Sequence, residues 1–483
     1  MIPAPSPVQH LIDALEQREL DQAQAAALWQ KHRGVWRRVS WADYALRVRR
    51  SARLLARFGV HDHARLAIAA EPSVHVLCLA LAAHSLGADV CWVHPDGLPG
   101  ELEAQWRAMA VSHVVAEQPA QRDLALEVGV HARLLTELEV NDEPGDDHGA
   151  MARLISEAGA RPGRFVFAVE ETDRSWRAWA LDLTGLANAA QALRQRGAGV
   201  GSGQRSLCQL PFAHALEWLL GPVLHLLDGG ELCLPESPDA VHQDLSQARV
   251  SRLSVQGWQL DALARRARHR LFSGGDRALR WLAPQPGIAG VVQRARVWPV
   301  LRRELGLAQV SHLIGHGPPP EAQTLSLMEL LGVSPLWIDT RQVLGDQADL
   351  SGGAAVDAAA ESLLASLRGH GLRSRQRCDR EADALVVRIE IDPEAAGQFA
   401  RERGLSYTTY RSLAALPALR EAFLAHLSAP IEALRAQGVN VRLELLAERP
   451  ERGNGGLRPD GTLAAGAGMS GDSTPELTQT ELA

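Results

Sequence analysis

The chain has 483 residues, 46% of them hydrophobic and 22% charged, with a net charge of −7 from 50 basic and 57 acidic side chains. That length exceeds one ordinary core and predicts two or three domains. The acidic balance excludes a general pull toward nucleic acid or an anionic membrane. No run of about 18 apolar residues is present, so no transmembrane helix is expected and membrane contact is at most peripheral. Met1 to Pro7 lacks the basic-then-apolar pattern of a secretory signal. Cys78, Cys91, Cys208, Cys233 and Cys378 are odd in number and isolated in apolar surroundings, and read as buried thiols of a cytoplasmic protein, not as a disulfide or zinc framework.

The first third alternates helix and strand. Ser40-Trp41-Ala42-Asp43 has the form of a capping box, and Trp41, Tyr44, Ala45, Val48, Ala52 and Leu55 follow at helical spacing until Gly59. A strand from Leu66 to Ala69, an apolar helix from Val74 to Leu86 and a strand from Ala88 to Val93 form a strand–helix–strand unit with parallel strands. The pattern repeats with a helix over 101–110, a strand over 113–116 and a helix over 120–128, then an acidic loop over 141–148. In the middle third, a strand over 164–169 leads to a helix over 184–195. A strand over 206–210 leads to a helix over 215–227 that ends at Gly229-Gly230. A strand over 231–234, a helix over 239–249, a strand over 252–255 and a helix over 259–268 follow, the basic run Arg265–Arg270 reading as a solvated helix end. A helix over 297–305, a strand over 310–315, a helix over 321–331 and a strand over 336–338 complete the alternation.

This predicts a large α/β domain over 1–350, doubly wound, with parallel or mixed sheets and helices. Residues 351–380 read as a linker. A strand over 384–391, a helix opening at Pro393, a helical stretch over 416–437 interrupted at Pro430 and a strand over 439–446 predict a small α+β domain over 381–463. Residues 464–483 have the composition of a disordered tail.

Several stretches together resemble the adenylate-forming superfamily, and its long-chain acyl-CoA synthetases most closely. Gly34-Val35-Trp36 through Asp43-Tyr44 is similar to the family's "G-x-W-x-x-x-T-[WY]-x-E-[LY]". Ala52 to Val60 with Arg65-Leu66-Ala67-Ile68 is similar to its "A-x-L-x-x-x-G-V … R-V-A-I". Leu210-Pro211-Phe212-Ala213-His214-Ala215-Leu216-Glu217 resembles "L-P-L-x-H-x-x-E", and Gly315-His316-Gly317-Pro318-Pro319-Pro320 stands where the family has "S-G-G-A-P-L". Asp392-Pro393-Glu394 through Ser406-Tyr407 resembles the family's C-terminal lid. The resemblance implies a large domain that binds ATP, Mg²⁺ and a carboxylate, and a lid that rotates before coenzyme A takes the acyl group. It makes His214, Glu217, Gly315 and Gly317 candidate substrate-binding residues. For His214 and Glu217, structural hydrogen bonding is the competing reading. For His312, His316 and Gly317, which could also form a metal or anion loop, it is a rigid turn set by the prolines.

The nucleotide elements depart from the family. Its phosphate loop "[ST]-[SG]-G-[ST]-T-G-x-P-K-G" uses glycines, hydroxyls and a lysine to hold pyrophosphate. Here Glu170 to Ala180 contains no glycine, and Trp179 falls at the lysine. Thr172, Arg174, Ser175 and Arg177 are the remnant positions. The family's "Y-G-x-T-E" corresponds to Trp337-Ile338-Asp339-Thr340-Arg341, where Thr340 is the remnant, and Thr462 stands at the lid lysine. Lys31 is the single lysine, leaving 49 arginines among the 50 basic residues. It lies outside every motif, which predicts a surface position. These losses together point to a pseudoenzyme with no catalytic residue, metal site or cofactor, retained for an acyl ligand or a protein partner. The alternative is a divergent fatty-acid–CoA ligase using ATP, Mg²⁺ and coenzyme A, with Arg174, Arg177 or Arg341 on the phosphates.

Overall fold

A computed structural model describes residues 11–138, 162–170, 175–236, 241–271, 298–317, 319–320, 322–344, 358–367, 370–381, 384–451, 456–457 and 463. The chain divides into two compact units, 1–353 and 354–483.

The first unit carries two sheets. One has the order β6-β5-β3-β4-β7-β8, built from β3 (Arg65–Ala69), β4 (Asp89–Trp92), β5 (His113–Ala116), β6 (His131–Leu134), β7 (Phe165–Glu170) and β8 (Trp176–Leu181). The other has the order β13-β12-β11-β9-β10-β1-β2, built from β1 (Ala26–His32), β2 (Val35–Ser40), β9 (Arg205–Leu207), β10 (Glu231–Leu234), β11 (Arg252–Gln256), β12 (His312–His316) and β13 (Pro335–Ile338). Every pairing is parallel except the edge hairpins β7–β8 and β1–β2. Of these four hairpin strands only β7 was expected; β1, β2 and β8 were not.

Strand alternation explains the layering. Leu66 and Ile68 of β3 enter a large core shared by both sheets, while Ala67 and Ala69 enter a smaller one on the outer face. In β10, Leu232 and Leu234 join the shared core and Cys233 the outer core of the second sheet. Helix Val74–Ser85 lies within the shared core and is apolar on every side, as an enclosed helix must be. Ser40 caps helix Trp41–Arg57, with the reciprocal Asp43 bond of a capping box.

The segment over 215–228 is not a plain helix. α-Helical turns Ala215–Trp218 and Leu224–Asp228 flank a π-turn Leu219–Val223 that contains Pro222. Proline lacks an N–H and crowds the carbonyl four residues back, and the wider turn relieves both conflicts. Buried Arg252 donates from Nη2 to the Leu220 carbonyl there, at 2.7 Å.

In the second unit, β14 (Arg373–Glu381) runs antiparallel to β15 (Ala384–Ile391), which pairs in parallel with β16 (Asn440–Leu445). Leu385, Val387, Ile389 and Ile391 pack with Leu363, Ala396, Leu419 and Phe423 from the helices. Helix Ala358–Leu367 and β14 occupy part of the stretch expected to be a linker. Helix Pro417–Arg435 runs through Pro430 without the expected break. The expected tail over 464–483 lies outside the described residues.

Candidate functional site

Open α/β sheets bind ligands outside the carboxyl ends of their parallel strands. In the first unit those ends carry Glu71 after β3, His94 and Asp96 after β4, Glu117 after β5, the Leu210–His214 stretch after β9, and His316-Gly317 closing β12. The Glu117 carboxylate accepts from the Glu71 backbone N–H at 2.8 Å. Burial, with Asp96 and Glu117 as neighbouring negative charges, pushes the Glu71 carboxyl up to about 7.

His214 precedes the α-turn at Ala215, its backbone N–H bonded to the Pro211 carbonyl. Its ring meets that of His94 edge-on, with centroids 5.3 Å apart. His316 lies close enough for His214 to act on its charge, and burial followed by that neighbour pushes the His316 imidazole down to about 3. All three rings are buried and join the two sheets. His94 and Glu71 were missed by motif comparison; their position directly after parallel strands was the available signal.

Glu217 is 1% exposed. Its carboxylate accepts from the Gln209 backbone N–H at 2.8 Å and the Ser254 hydroxyl at 2.5 Å. Burial pushes its pKa up and these bonds pull against it. Around it, Trp218 packs against Trp92, Phe165 and Phe212 at centroid distances of 4.9, 4.8 and 5.3 Å. Every residue from 212 to 226 is buried. The Leu210–Glu217 motif thus ties β9, β11 and the π-turn together inside the core.

Gly315 pairs in register with Trp337 of β13. A Cβ at Gly315 would meet the Trp337 ring at 2.1 Å, and the indole Nε1 donates to the Gly317 carbonyl at 3.1 Å. Trp337 therefore lies across Gly315 at the strand end where the resemblance expects an adenine-stacking aromatic. Gly315→Ala is expected to destabilise the protein by about 1–3 kcal/mol, since the indole must leave its place. A chemical melt reads the loss, together with a shift in tryptophan emission. Gly317 follows with φ +70. Thr340 opens helix Thr340–Leu344 and is half-buried.

Of the phosphate-loop positions, Ser175 and Arg177 are exposed at the hairpin, and Thr172 and Arg174 lie outside the described residues, as does Thr462. Trp179 is not in a loop. It sits in β8 opposite Phe167, with ring centroids 5.6 Å apart, in the shared core. Lys31 is not a surface residue either. It is 6% exposed, and its Nζ lies 2.5 Å from Oδ1 of fully buried Asp244 on helix Val241–Ala248. Hairpin pairing of β1 with β2, absent from the motif reading, turns it inward.

The two-sheet unit followed by a small α+β unit is the fold of adenylate-forming domains. Residues 15–166 match the AMP-binding enzyme family. No curated protein matches the sequence. Among solved structures, the adenylation domain of a carboxylate reductase from Mycobacterium chelonae is similar with a TM-score of 0.64 at 13% identity, over 95% of this chain and 89% of that one. A fatty acyl-adenylate ligase from L. pneumophila, solved with acyl adenylate and pyrophosphate, is similar with a TM-score of 0.49 at 9% identity. That match covers 68% of this chain and 54% of the ligase, so the chain spans about half of the ligase's length. Among the described residues no helix is long and apolar enough to cross a membrane.

Proposed function

We propose that this chain keeps an adenylate-forming scaffold, most like that of the long-chain acyl-CoA synthetases, without forming adenylates, and acts in the cytoplasm by binding a protein partner or an acyl ligand. The carrying observation is the placement of its one lysine. Two positions in the resembled family use lysine to neutralise phosphate charge, and here the single lysine ammonium is held by Asp244 in the core. Removing one such donor costs about 2.7–4 kcal/mol of barrier lowering, or roughly 10²–10³ in rate. Trp179 packed in β8, Trp337 across Gly315 and a glycine-free stretch from Glu170 to Ala180 support the same reading.

A glycine-free stretch that carries Glu170, Glu171 and Asp173 does not fit a magnesium nucleotide. The ring cluster around Trp218 fills that part of the core with side chains, which places any acyl ligand or partner elsewhere. Pyrophosphate release with ATP, Mg²⁺ and long-chain fatty acids is expected to stay at background. Sustained, acid-dependent pyrophosphate release would overturn the reading in favour of the arginine-based ligase.

A further inference from the structure

The opposite end of the first sheet, at the amino ends of its strands, holds a group of imidazoles that the functional reading leaves unused. His113 and His131 are the first residues of β5 and β6 and stand directly opposite each other in the parallel register. Neighbouring strands lie about 4.8 Å apart, so a register pair projects its two side chains side by side from one face. The two rings have centroids 5.3 Å apart. A tetrahedral ion bound at about 2.0–2.1 Å to two imidazole nitrogens holds the ring centroids roughly 5 Å apart. The observed centroid spacing matches that distance, with the two rings inclined at 32°.

We propose that His113 and His131 form a two-residue chelate for a borderline divalent transition-metal ion of the Zn²⁺ or Ni²⁺ type, with water completing the coordination.

Three further observations suit this role. His113 Nδ1 lies 2.9 Å from the Ser112 hydroxyl, which orients the ring and leaves Nε2 as the ligating atom. The Phe58 ring packs on His113 edge-on at 5.1 Å and holds it from the side. Burial, then the neighbouring His131 and His61, keep the His113 imidazole below its ordinary pKa, so it is neutral and able to ligate at neutral pH. His131 is exposed and gives an ion access from solvent. Among the described residues no group of three or more His, Cys, Asp or Glu side chains is arranged to hold a metal, which limits the protein's contribution here to two ligands.

The test is calorimetric titration of the tag-free, full-length protein with NiCl₂ and with ZnCl₂ near neutral pH. Saturable binding that depends on both His113 and His131 is expected. His131→Asn and His113→Asn should each weaken binding at least about tenfold. His32→Asn, an exposed histidine at the end of β1, should leave it unchanged. Melting curves without metal must match the native protein for the variants used, with His131→Gln as the second replacement at that exposed position. Absence of saturable binding at millimolar ion would overturn the proposal, as would undiminished binding in both His113 and His131 variants.

Discussion

Lys31→Met is expected to cost roughly 3–5 kcal/mol of folding stability, the range for breaking a buried ion pair by removing one partner. The cost arises at Asp244. Its carboxylate is fully buried, Oδ1 is held by the Lys31 ammonium, and Oδ2 has no hydrogen-bond partner among the described residues. Without the ammonium, that charge stays in the core uncompensated. The pair also fastens β1 to helix Val241–Ala248, and the ammonium lies 6.0 Å from the centroid of the Trp36 ring. The double variant Lys31→Met/Asp244→Leu should recover most of the loss, because packed apolar side chains are often neutral or stabilising relative to a buried pair. Lys31→Arg should not rescue fully, since a planar guanidinium needs more room and more acceptors than a compact ammonium. Urea unfolding curves measure all three. A single variant within about 1 kcal/mol of the native protein would contradict the buried role.

Between pH 7 and pH 5 the native protein should lose stability through buried neutral histidines, and His225→Asn and His316→Gln should each remove about 2 kcal/mol of that loss. His225 and His316 are both held down to about 3 from an ordinary 6.5, chiefly by burial. A folded-state pKa below the unfolded value means the unfolded chain binds the extra proton. The contribution is therefore fully present above about 6.5 and is lost as pH falls toward 3. For His225, Nδ1 faces the Gly230 carbonyl at 2.6 Å, the ring stacks on Trp41 at 4.8 Å, and nearby Arg18 adds a like charge on protonation. For His316, the neighbouring His214 acts in the same sense. Glu71, held up to about 7, and Glu217, also raised, act in the opposite direction, because the folded state takes up their protons first. The informative quantity is thus the difference between variant and native slopes, read from urea midpoints at the two pH values. Variants that keep the native slope would contradict the assignment.

The alternating pattern was legible because parallel strands flanked by helices write themselves as short apolar runs separated by capped amphipathic segments. β3, β4, β5, β10, β11 and β15, with the helices between them, fell near their expected places. The two antiparallel edge hairpins were not legible. β2 and β8 mix tryptophan, arginine and alanine, and only pairing to a neighbouring strand makes such segments extended. The candidate site was half legible. His214, Glu217 and Gly315 could be named from local motifs, but their partners come from elsewhere in the chain: Ser254 and Trp337 from other strands and His94 from the loop after β4.

By itself the sequence determined the fold class, the absence of glycine from Glu170 to Ala180, and the presence of a single lysine. All three are properties of local residue order. The tertiary structure alone decided where that lysine points. A strand places alternate side chains on opposite faces, and the parallel pairing of β1 with β10, together with the hairpin to β2, sets which face is enclosed. Asp244, more than two hundred residues away in sequence, then supplies the charge that makes burying an ammonium possible.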